Sequence, residues 1–230
     1  MAVARVQYGS AASGTSVLNV PLATAPIAGN KLVAVQSTSG YNNAFTTPAG
    51  WSILAGPTLQ TNDNTIAFWK DADGTEGTSI AFTGHDNDGV ALYEVSGAAA
   101  GAPVAAFTSD AASTVTVTFA AESPTRAGSL ALEFVAPTNG GDSATVPTGY
   151  TGETYVTVPY HGIHSFYRAN PTVGTNCAQG STLNVVDDWD ALIVLIAPPV
   201  VVATGTAVGN AAYTSGAIGT GRSATCIGNG

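Results

Sequence analysis

Few residues of this chain could do chemistry, and their spacing limits what each could do. The segment Asp71-Ala72-Asp73-Gly74-Thr75-Glu76 gathers three carboxylates around an Asp-Gly turn. Calcium takes about six to eight oxygens and such a turn supplies several, so Asp71, Asp73 and Glu76 are candidate calcium ligands. The competing reading is strand punctuation, because Asp-Gly favours tight turns and Glu76 follows too closely for an EF-hand loop. Asp86-Asn87-Asp88 and the trio Asp187, Asp188 and Asp190 form further acidic turns. His161 and His164 stand three apart, a spacing that sends two strand side chains to opposite faces and argues against shared metal ligation.

Signals for catalysis are missing. Glycoside hydrolysis needs an acid and a base roughly 5–10 Å apart, whereas Glu94 and Glu133 each stand alone on apolar stretches. The chain has no G-x-S-x-G elbow, and neither Cys177 nor Cys226 has a neighbouring histidine. The Gly-rich run 216–221 lacks the lysine of a phosphate loop. A non-enzyme without a cofactor is therefore expected. Cys177 and Cys226 are either two thiols or a pair closed by a returning C-terminus. Aromatic rings offer one other chemistry, stacking on sugar faces. Tyr155, Tyr160 and Trp189 lie in polar contexts and are candidate glycan contacts, as is Tyr41 by the same reasoning.

The elements that would position these groups follow a repeat. Ala28-Gly29-Asn30 leads into the apolar run 31–35, followed by Pro48-Ala49-Gly50-Trp51. The same order recurs as Ala127-Gly128-Ser129, the run 130–135, and Pro147-Thr148-Gly149-Tyr150, with both landmarks displaced by 99 positions. Ala67-Phe68-Trp69-Lys70 and Ser165-Phe166-Tyr167-Arg168 match at a displacement of 98, and 78–80 and 181–183 at 103. Matched placement makes Trp51, Tyr150, Trp69 and Tyr167 core residues rather than a sugar platform. Short alternating or apolar runs separated by Gly, Asn and Asp predict strands, among them 15–22, 31–37, 58–61, 65–70, 78–83, 90–95, 114–119 and 130–135. Gly9 to Gly14 reads as a turn cluster. The expected fold is all-β: a two-sheet β-sandwich over residues 1–198, with copies at about 15–97 and 114–197. One shared core and two small separate domains are both open at this point.

Composition narrows the partners. Only 9% of residues are charged and the net charge is −9, with six cations scattered singly. Nucleic acid needs a basic patch and none is apparent, so nucleic-acid binding is not expected. The longest apolar run, 191–203, is broken by Pro198 and Pro199 and is too short to span a bilayer, so no membrane insertion is expected. The N-terminus lacks the apolar core of a secretion signal. Residues 199–230 change character, with Ala207-Val208-Gly209-Asn210, Ala217-Ile218-Gly219-Thr220 and Cys226-Ile227-Gly228-Asn229 repeating a small-apolar-Gly-polar unit. A flexible linker is one reading. The other is an assembly tail that adds strands to a partner or another copy, through Val208, Tyr213, Ile218 and Ile227.

The alternating Thr/Val strand, the Ala-Gly turn, the Pro-x-Gly-aromatic turn and the aromatic-aromatic-basic strand together resemble lectin-like (concanavalin-type) β-sandwich proteins of tailed bacteriophages. That resemblance covers residues 3–198 and carries no site residue with it. It implies a lectin-like or jelly-roll sandwich with a Gly/Ala-rich extension, working as a minor tail or capsid-decorating protein on the virion surface. Its implied partners are other virion proteins and copies of itself, and host cell-surface carbohydrate where the loops touch it. The alternative is a carbohydrate-binding module or adhesin outside a virion.

Overall fold

A computed structural model describes residues 1–13, 16–39, 44–58, 63–85, 87–158 and 161–201. The described residues form thirteen strands and no helix. In chain order they are β1 (Ala4–Ser13), β2 (Val17–Pro21), β3 (Lys31–Ser39), β4 (Ser52–Ala55), β5 (Asp63–Asp71), β6 (Ser79–Thr83) and β7 (Asp88–Ser96). Then come β8 (Val104–Val117), β9 (Leu130–Pro137), β10 (Thr151–Gly152), β11 (Val156–Val158), β12 (His161–Ala169) and β13 (Ser181–Ile196).

One sheet has the order β1-β7-β3-β5-β4, the other β8-β13-β9-β12-β10 with β11 also on β12, and β2 pairs β6 in a separate ribbon. Every ladder is antiparallel. The two sheets run through the same succession of strands, and their registers correspond. Val33 faces Tyr93 and Trp69, while Leu132 faces Val194 and Tyr167. Ser52 faces Trp69 and Thr151 faces Tyr167.

The central strands are buried on both faces, and so their sequences read as continuous apolar runs. In β3, Val33 and Val35 enter the core between the sheets, while Leu32 and Ala34 turn outward under the β2–β6 ribbon with Leu18, Val20 and Phe82. In β9, Leu130, Leu132 and Phe134 enter the same central core, which both sheets share with Tyr93 and Val194. Ala131 and Val135 pack outward with Tyr150, Cys177, Leu183 and Trp189. Met1–Pro199 forms one compact unit, and Val200–Gly230 is a separate one of which 200 and 201 are described. The tail residues Val208, Tyr213, Ile218 and Ile227 and the thiol Cys226 lie outside the described residues.

The two Pro-x-Gly-aromatic turns are alike in geometry. Trp51 N–H donates to Pro48 O and Tyr150 N–H to Pro147 O, each at 3.0 Å, with Gly50 and Gly149 at φ of 79° and 81°. Only glycine holds that conformation without strain, and it turns the ring inward. Trp51 meets Phe82 edge-on at 5.4 Å. Tyr150 is buried in the opposite outer layer.

Three expectations change. The turn expected at Gly9 is strand, because a Cβ there would lie 2.3 Å from Pro21 O and glycine permits that close approach. Of the strand expected at 58–61, residues 59–61 lie outside the described residues; Thr58 N–H donates to Thr65 O (2.9 Å), and β4 is a strand outside the expected set. Finally, Phe82 stands opposite Leu18 and Ser181 opposite Val117, a register that relates these ribbons by 99 positions rather than 103.

Candidate functional site

The candidate calcium turn follows β5 and its carboxylates are already engaged. Asp71 pairs with the buried Lys31 ammonium, which also sits 4.5 Å over the Trp69 ring. Asp73 accepts from Thr75 N (2.8 Å) and Thr75 Oγ1 (2.5 Å), while Glu76 accepts from Asp73 N (3.0 Å) and Gly74 N (2.9 Å). Lys70 Nζ lies 2.6 Å from Glu76 and 3.5 Å from Asp73. Those donors hold both acids below their usual range, through the Thr75 bonds at Asp73 and, against burial, the Lys70 bond at Glu76. An ammonium thus occupies the position between Asp73 and Glu76 that a cation would take.

The two lone glutamates are framework. Glu94 is buried and accepts from Gln7 Nε2, Ile27 N (2.9 Å) and Asn30 Nδ2 (2.6 Å), so it pins the turn before β3 to β7 and β1. Glu133 lies on the outward face of β9 beneath the 177–179 segment. Its Oε1 accepts from Gln179 N (2.8 Å) and its Oε2 has no hydrogen-bond donor. The Tyr150 hydroxyl donates to Cys177 O (3.0 Å) and lies close enough to the Glu133 carboxyl to favour its ionised form, which only partly offsets burial. Burial pushes the Glu133 carboxyl up to about 7, and it pushes the Tyr150 phenol and the Cys177 thiol up as well. Glu94 and Glu133 belong to different sheets and are not brought together.

The candidate glycan residues divide. Trp189 is 2% exposed and packs with Val117, Val135 and Leu183, its indole N–H donating to Thr114 Oγ1 (3.3 Å), so its ring has no free face. Tyr155 is half-buried, stacked on His164 at 3.8 Å between ring centres, and donates to Gly140 O (3.2 Å). Its ring lies over Gly162, where a Cβ would meet the hydroxyl at 2.1 Å. Tyr160 and Tyr41 lie outside the described residues.

A further polar grouping lies at the end of the sandwich where β9 ends and β12 begins, and sequence reasoning did not assemble it. His161 and His164 do point to opposite faces of β12. His161 bonds Ser37 O of the other sheet (2.8 Å), and burial drops its imidazole to about 4. His164 bonds Asp142 O (3.0 Å) on the outer side, and burial lowers it too. The loop 138–143 is tied down at several points. Asp187 accepts from Thr138 Oγ1 (2.5 Å) and Asn139 N (2.8 Å), and Thr138 N donates to Asp188 O (3.1 Å). Gly140 is required by crowding, since a Cβ would sit 1.8 Å from Val158 O. The result brings the carboxyls of Asp142 and Asp187 into hydrogen-bonding reach of each other. Nothing local signals this, because the two residues stand 45 positions apart.

The second feature is an edge. Of the strands that border the two sheets, β4 and β10 are short, and the β1 edge is crossed by the Arg5–Glu153 ion pair. The remaining border strand, β8, runs for 14 residues and carries a single charge, Asp110. Val104 at its start is 55% exposed, and Ser109 is exposed too. Among the described residues no helix is long and apolar enough to cross a membrane, and no group of three His, Cys, Asp or Glu side chains is placed to hold a metal. Compared with known proteins, the chain matches no family model, no curated protein and no solved structure.

Proposed function

We propose that this chain is a non-catalytic structural protein of a tailed-bacteriophage virion, a minor tail or capsid-decorating component. It joins its neighbours by strand addition at β8 and through the Gly/Ala-rich segment 199–230. The observation that carries this reading is the β8 edge. A long border strand with one charge presents a row of backbone donors and acceptors, and edges of that kind are templates for pairing with another chain.

The body is an internal duplication of a lectin-like sandwich in this reading. Equal strand order, equal register and paired glycine turns support it. The acidic and aromatic groups support a structural role as well, since Glu94, Asp73, Glu76, Trp51 and Trp189 are spent on holding turns and layers.

Val104→Lys with Ser109→Lys places a charge at each of two exposed positions of β8, one on each face of the strand, which opposes edge pairing. Sedimentation of the full chain is expected to reveal self-association that this double variant abolishes with unchanged Tm. A chain that stays monomeric at high concentration, or a variant that associates as the parent does, overturns the β8 assembly reading.

A further inference from the structure

We propose that the cleft between the 99–103 segment and Arg126 binds a small carboxylate ligand, about the size of one acidic sugar, with the Arg126 guanidinium clasping the carboxylate. The cleft has a volume of about 250 Å³ and lies where β3 and β8 begin and β13 ends. Sites for drug-sized ligands run to roughly 300–1,000 Å³, so this one suits a smaller molecule. Lys31 and Arg126, two of the chain's six cations, both line it, and among the described residues no acidic one does. In a chain of net charge −9 the cleft is a local reversal of sign.

Its walls are held by bonds that involve no ligand. Ala99 N–H donates to Ala197 O (2.8 Å), which fixes the 99–103 segment to the chain leaving β13. Lys31 is 1% exposed, and its ammonium donates to Gly101 O (2.8 Å), pairs with Asp71 and sits over the Trp69 ring. Those contacts occupy its donors, so Lys31 sets the wall in place and Asp71 balances its charge. Arg126 is different. Its Nη1 donates to Pro198 O (2.7 Å), and the rest of the half-buried fork has no acceptor among the described residues. The N–H groups of Ala100, Gly101 and Ala102 likewise donate to no described residue. Gly101 has a φ of 90°, and a left-handed residue within a run of unused N–H groups is the backbone form of anion-binding concavities.

One positive charge is thus left uncompensated, which matches a monoanion rather than a phosphate dianion. A guanidinium presents parallel N–H donors that meet both oxygens of a carboxylate. Ala100, Ala102 and Leu195 line the cleft with apolar groups for the ligand's carbon body, and the exposed Thr125 offers a hydroxyl. The assignment does not depend on how β8 is used in assembly.

The test is an NMR titration of the full chain at low salt and near neutral pH, with glucuronate as the probe and glucose as its uncharged counterpart. Glucuronate should move the amide signals of Ala100, Gly101 and Ala102 and saturate in the millimolar range, while glucose leaves them in place. Arg126→Gln should weaken binding roughly tenfold or more, and Arg126→Lys, which keeps the charge and loses the fork, should weaken it as well. Glucuronate without effect on these amides overturns the proposal, and so does an Arg126→Gln variant that binds as the parent does. Inorganic phosphate that moves the same signals at lower concentration overturns the carboxylate assignment. Because Arg126 also holds Pro198, its variants could fail to fold; the parent's titration then decides, and equal shifts with glucuronate and glucose overturn the proposal.

Discussion

Replacing Glu133 by Gln should stabilise the protein, by an amount that grows as pH rises from about 4.5 to 7 and then levels off. In the folded chain the carboxyl is buried on β9 with Oε2 undonated, and its pKa rises from 4.5 to about 7. Because the folded value exceeds the unfolded one, the group contributes stability below pH 4.5 that is lost as pH rises toward 7. A shift of that size corresponds to about 3 kcal/mol at most. Glutamine keeps the oxygen that accepts from Gln179 N and cannot ionise, so it escapes this loss. Denaturant unfolding of parent and variant across the pH range is the assay. The two should agree within about 1 kcal/mol near pH 4.5, with the variant ahead by about 2–3 kcal/mol above pH 7, or roughly 5–10 °C in Tm. A difference that does not change with pH, or a variant less stable throughout, would refute the argument that Glu133 is ionised at a cost.

His161 works in the opposite direction, since its pKa falls from 6.5 to about 4 by burial. Its stabilising contribution is present above pH 6.5 and lost as pH falls toward 4, so its ring signals in NMR should not titrate between neutrality and pH 5; a midpoint near 6.5 would contradict the buried bond to Ser37. Gly162→Ala should cost about 2 kcal/mol through collision with the Tyr155 ring, and Gly162→Ala combined with Tyr155→Ala should recover most of it in a double-mutant cycle. Additive losses would place the strain elsewhere.

The architecture was legible where it depends on short-range chemistry. Pro48, Gly50 and Trp51, and their counterparts Pro147, Gly149 and Tyr150, carry their turn in the sequence, because proline sets φ and glycine permits the positive one. The apolar runs of β3 and β9 predict strands for the same local reason; that both faces are buried shows only in the packed layers. Trp189 misled because Asp187, Asp188 and Asp190 surround it. A register irregularity between Asp187 and Trp189 sends its ring into the outer core, while Asp187 and Asp188 bond Thr138 and Ser113 and Asp190 meets Thr58. The Asp71–Glu76 turn misled in another way, since Lys70 precedes it and supplies the positive charge itself. The Asp142–Asp187 contact was out of reach altogether, because it exists only once β13 lies beside β9.

Electron microscopy of a phage particle purified from the source of this chain, at a resolution that separates strands, tests the proposed role most directly. The expected result is the sandwich on the particle with β8 continued by a strand from a neighbouring chain. Purified particles that lack the polypeptide, or a β8 edge that faces solvent in every copy, would contradict it.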